Sequence, residues 1–115
     1  MDYDLAERLF SFSINVIELL KSVKFSEIHK VIVNQLTKSA TSSGANYEEA
    51  QAGSSKQDFI NKVNISLKEM RESNYWLRIL KETKITNTND TQLLIDESEE
   101  LKKILGKIVS SARKN

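Results

Sequence analysis

Ser39-Ala40-Thr41-Ser42-Ser43-Gly44-Ala45-Asn46-Tyr47-Glu48-Glu49-Ala50 is the run on which the architecture of this chain turns. From Ser39 to Ala45 every side chain is small, and an amide, a phenol and two carboxylates follow at once. Glycine and serine are poor helix formers, and carboxylates that become buried need partners, so a helix carrying this patch loses intrinsic stability. Small side chains let two helix backbones approach closely, which gives the patch a packing role. Gly53 stands just beyond it, where a left-handed residue is expected to end the helix.

The segments on either side carry a helical hydrophobic period. Leu5, Leu9, Phe12, Val16, Leu19 and Val23 form one stripe, and Phe10, Ile14 and Ile17 form a second beside it. Two apolar stripes on one helix exceed what a single neighbour covers, which predicts self-association. Ser26 is placed to cap the second helix. After Gly53, Ser54 or Ser55 with Gln57 or Asp58 makes a capping box for a third helix. Its stripe is Ile60, Val63, Leu67, Met70, Asn74 and Leu77, with Asn74 in a slot where an aliphatic side chain would normally stand. A polar residue at such a position sets register. Residues 84–91 read as a polar loop, and Leu94, Ser98, Leu101, Leu105, Ile108 and Ala112 line a fourth helix. The acids of that helix precede its bases, in the order that suits the helix dipole. The expected fold is all-α, one domain over residues 1–115, an antiparallel up-down-up-down four-helix bundle with helices near 3–23, 27–52, 56–83 and 90–113.

Composition agrees with long helices. There is no proline and glycine occurs only three times, which argues against turn-rich sheets, and the absence of cysteine excludes disulfide and thiolate-metal frameworks. No segment approaches the ~20 apolar residues of a membrane span, and the N-terminus lacks the pattern of a signal peptide. The expectation is a cytoplasmic protein without a membrane partner. The net charge of +1 gives no overall drive toward nucleic acid. Only residues 54–84 carry a basic excess, seven cations against four acids. Lys56, Lys62, Lys68, Arg71, Arg78, Lys81 and Lys84 are therefore the candidate nucleic-acid contacts, as a basic face on the third helix. Tyr47, Tyr75 and Trp76 are candidates for base stacking, although aromatics at helical spacing more often fill a core.

Catalytic and cofactor chemistry find no support. A di-iron bundle needs two Glu-x-x-His motifs, but His29 is the only histidine and Ser26 stands three residues before it. Ser42 and Ser43 have no histidine close by in sequence, and no phosphate-cradling glycine loop is present. The sequence predicts a non-enzyme with no catalytic residue, metal or cofactor. What remains is a polar set. Asn46 and Glu49 share a face of the second helix, and Glu69 and Glu72 share a face of the third. If the helices are antiparallel neighbours these pairs meet across the interface, either as a register-fixing network or as a ligand or partner site.

Ser42-Ser43-Gly44-Ala45-Asn46-Tyr47-Glu48-Glu49-Ala50, Ser55, Asp58-Phe59 and Ser66-Leu67-Lys68-Glu69-Met70-Arg71-Glu72-Ser73-Asn74-Tyr75-Trp76-Leu77 together cover about a third of the chain. In this order they resemble a bacterial four-helix bundle family whose founding members are encoded in intervening sequences of 23S ribosomal RNA genes. The accessory proteins of diversity-generating retroelements are similar to it. The resemblance implies a small antiparallel bundle that assembles into a ring, typically a homopentamer, with no established biochemical role for most members. In the retroelement branch it implies a basic surface that engages nucleic acid and a reverse transcriptase. The family pattern falls here on Asn46, Glu49, Asp58, Phe59, Leu67, Glu69 and Glu72, none of them catalytic. The expected role is binding or assembly, with nucleic-acid binding as the alternative.

Overall fold

Capping residues set where the helices begin. The computed structural model describes the backbone of residues 2–53 and 55–114 and the side chains of 5–53 and 55–114. Four helices follow in order: α1 Asp2–Leu20, α2 Glu27–Gln51, α3 Lys56–Thr83 and α4 Thr88–Lys114. Ser26 caps α2 by accepting from the His29 N–H at 3.0 Å, and Ser55 caps α3 by accepting from the Asp58 N–H at 3.0 Å. Ser54, the alternative cap, lies outside the described residues. α4 starts two residues before the expected position because Asn87 caps it, its Oδ1 accepting from the Asp90 N–H at 3.0 Å. The hydroxyls of Thr86 and Thr91, both buried, meet at 2.6 Å and fasten this turn.

The expected left-handed cap at Gly53 is not formed, since no described glycine has a positive φ. A Cβ at Gly53 would lie 2.7 Å from Asp58 Oδ2, the movable end of a side chain in the first turn of α3, and 3.2 Å from the Ala50 carbonyl oxygen. The left-handed residue is Lys84 (φ 57°, ψ 28°), which ends α3.

Each helix touches its neighbours in the chain, α1 also touches α4, and the diagonal pairs α1–α3 and α2–α4 stay apart. With the antiparallel registers this is the up-down-up-down bundle. The long axis of 46 Å matches the 28 residues of α3 at about 1.5 Å per residue. The core takes Leu5, Leu9, Phe12, Val16 and Leu20 from α1 and the whole expected α3 stripe, Asn74 included. On α4, Val109 is buried and Ile108 only half-buried, because the 3.6-residue turn drifts against the seven-residue spacing of Leu94, Leu101 and Ile108. No described helix is long and apolar enough to cross a membrane.

Candidate functional site

The small-residue run of α2 faces two helices. Toward α1, Gly44 packs on Leu9, and the Ser13 hydroxyl of α1 donates to the Ala40 carbonyl at 3.0 Å. Toward α3, Ser43 and Ser66 form a reciprocal clasp. Ser43 Oγ donates to the Ser66 carbonyl at 2.8 Å, and Ser66 Oγ donates to the Ser43 carbonyl at 2.7 Å. Two turns along α3, Ser73 Oγ lies 2.8 Å from Ser39 Oγ and donates to the Glu69 carbonyl at 3.0 Å. All four serines are fully buried. A hydroxyl that bonds a facing backbone demands close approach, so these pairs fix both the spacing and the antiparallel register of α2 and α3. Among the described residues no buried side-chain nitrogen or oxygen lacks a partner.

This register separates the polar pairs that were expected to meet. Glu69 and Glu72 lie between Ser66 and Ser73, level with Ser39 to Ser43, whereas Asn46 and Glu49 lie beyond Ser43 toward Gly53. Asn46 turns back on its own helix, donating to the Ser42 carbonyl at 2.9 Å and to Ser42 Oγ at 3.1 Å. Glu49 is exposed. Glu72 accepts a long bond of 3.4 Å from Trp76 Nε1, also within one helix. The cross-helix work falls to the serines. Their signal was present in the four-residue step from Ser39 to Ser43 and the seven-residue step from Ser66 to Ser73, each on one helix face.

Asn74 does join two helices. It is buried, donates to Ser98 Oγ at 2.8 Å and to Glu99 Oε2 at 3.0 Å on α4, and accepts from Arg78 Nε at 3.0 Å. Arg78 also stands 5.7 Å over the ring of Tyr75, whose own edge-on contact with Trp76 is 5.4 Å between centroids. Of the three aromatic candidates, Tyr47 is buried, Trp76 half-buried and Tyr75 exposed. His29 spends its ring on the α1–α2 corner, with Nδ1 2.9 Å from the Lys24 carbonyl. Arg8 and Glu97 link α1 to α4 through two bonds of 3.0 and 2.8 Å. That bond to Glu97 raises the Arg8 pKa above its ordinary value; partial burial opposes the rise, and the charges of Glu97 and Glu100 add to it.

The cations of α3 do not form one face. Arg71 and Arg78 lean toward α4, as the lining of the α3–α4 groove and the bond to Asn74 show. Lys62, one turn before Ser66, lies toward α2 and is half-buried, as is Lys81. Lys56, Lys68 and Lys84 are exposed. At 100° per residue the spacing of these seven residues scatters them around the helix. Arg113 and Lys114, read from sequence only as dipole partners at the end of α4, come to the same groove as Arg71.

The model of the 23S rRNA-intervening sequence protein family matches residues 1–107. A solved structure of a protein of unknown function from the S23 ribosomal protein family of Bacteroides thetaiotaomicron VPI-5482 superposes with a TM-score of 0.82. At 33% identity, that match covers 91% of this chain and 97% of the other. No curated protein matches the chain. Neither the family description nor the solved neighbour carries a stated activity. The chain belongs to the 23S rRNA-intervening sequence protein family.

Proposed function

We propose that the protein is not an enzyme and works by assembly, identical copies associating through the outer flank of α1. One observation carries this reading. Phe10 and Ile14, one turn apart, are 58% and 43% exposed, while the parallel stripe from Leu5 to Leu20 is fully used inside the bundle. A helix needs one apolar stripe to join a bundle; a second that leaves Phe10 and Ile14 exposed is explained by a partner. The homopentameric ring implied by the family resemblance is the form we propose for the assembly.

Light scattering at micromolar concentration tests it. The expected mass is a multiple of 13.1 kDa, five-fold for the ring. Phe10→Asp combined with Ile14→Asp should return the protein to the mass of a single chain with its helicity kept, since both side chains are already exposed. A wild-type protein that scatters as one chain at that concentration overturns the reading.

A further inference from the structure

We propose that the outer groove between α3 and α4, near the end of the bundle where α2 turns into α3, binds the phosphate chain of a small oligophosphate-bearing ligand. A hollow of about 560 Å³ lies between the two helices, and a second of about 510 Å³, lined by α3 alone, adjoins it through Asn64 and Arg71. The larger has Leu67 and Val109 among its lining and Arg71, Arg113 and Lys114 beside them, and the smaller adds Lys68. Among the described residues no carboxylate lines either hollow, in a chain whose acids nearly equal its bases, 16 against 17.

The use of the arginines sharpens this. Arg8 is bonded to Glu97 and Arg78 to Asn74. The other two, Arg71 and Arg113, line the same hollow from opposite helices, and neither they nor Lys68 and Lys114 make a side-chain hydrogen bond or ion pair among the described residues. Like charges facing each other across a helix seam repel, and a bound anion removes that cost. Arg113 and Lys114 in the last turn of α4 also answer the helix dipole. Lys68 and Arg71 stand mid-helix in α3, where the dipole gives no reason for them.

The shape fits a small ligand. A Cβ on Gly106 would meet nothing within 4 Å, so this residue leaves the groove open. Guanidinium forks match phosphate oxygens two at a time, and Asn64 and Ser110 supply neutral donors beside them. Leu67 and Val109 offer an apolar bed for whatever the phosphates are attached to. The volume lies in the range of small-molecule sites, about 300–1,000 Å³. None of the groove's lining comes from α1, so this inference does not depend on assembly through that helix.

Inorganic tripolyphosphate is the first probe, by calorimetry and by thermal shift against sulfate at matched ionic strength. Tripolyphosphate should bind and raise the melting temperature where sulfate does not. Arg71→Gln with Arg113→Gln should weaken binding at least tenfold, and so should Gly106→Leu, which fills the groove without changing charge. Lys38→Gln with Lys103→Gln, the same charge loss at exposed positions elsewhere, should leave binding unchanged. A nucleoside triphosphate binding more tightly than tripolyphosphate assigns the apolar bed to a nucleoside; equal affinity assigns the site to the phosphate chain alone. Stabilisation by sulfate equal to that by tripolyphosphate overturns the proposal. So does equal weakening in the Lys38/Lys103 variant, or capture of a single-stranded oligonucleotide with no affinity for tripolyphosphate.

Discussion

Gly44 has room for a methyl group. A Cβ there would lie 3.5 Å from Leu9 Cβ, an ordinary contact, and its φ is not positive. Glycine inside a helix costs roughly 0.5–1 kcal/mol against alanine, so Gly44→Ala should raise stability by up to about 1 kcal/mol in urea denaturation. Gly44→Leu should lower it by about 1–3 kcal/mol, because the longer side chain runs into the Leu9 backbone at 3.6 Å. The serines behave differently. Ser66→Ala removes one half of the clasp with Ser43 and should cost about 1–2 kcal/mol, and Ser66→Val should cost more, since it forces apart a seam with no accessible surface. Thermal melting of the two variants side by side checks that order. The sequence announced that this run packs closely but not how. Small side chains declare proximity, whereas the facing partner of a serine depends on the register of another helix, which no local pattern around Ser43 contains.

At the level of whole helices, polar groups decide how neighbours line up. Asn74 holds α3 to α4 through Ser98 and Glu99, and Asn74→Ala should cost about 2–4 kcal/mol by leaving a cavity and unmatched partners. Asn74→Leu should recover part of that, and a urea titration of both variants separates packing from bonding. The α1–α4 link is weaker, because Arg8 and Glu97 have side chains 39% and 33% exposed. A double-mutant cycle with Arg8→Gln and Glu97→Gln should return about 0.5–1 kcal/mol. Its pH dependence follows from the raised Arg8 pKa. The contribution is full below the unfolded arginine value and is lost only as pH rises through the folded one, so this cation gives no pH dependence near neutrality. Helix number, order and approximate ends were legible from periodicity and caps. The Asn46/Glu49 and Glu69/Glu72 pairing was not, because a shared face on each helix says nothing about their relative height. The basic face failed for a related reason: a charge excess in residues 54–84 is a count along the chain, and a face is an angle around it.

Across the whole molecule, the two sides of the bundle are fastened by different forces. The α2–α3 seam is the most extensive, and the serine cross-links within it are neutral hydroxyls and carbonyls shielded from water. The α1–α4 seam is the slightest, α1 is the shortest helix, and among the described residues the side-chain link between the two is a partly exposed ion pair. Raising ionic strength screens exposed charges on a length of about 8–10 Å near physiological salt and shorter beyond it, but does little to buried neutral bonds. Native-state hydrogen exchange in low and high salt should therefore show α1 amides opening more readily as salt rises, with the α2–α3 amides unchanged; equal acceleration in all four helices would contradict this. The serine clasp thus has a meaning beyond geometry. It makes half of this bundle indifferent to the ionic composition around it and leaves α1, the helix with the exposed phenylalanine, as the part that salt can loosen.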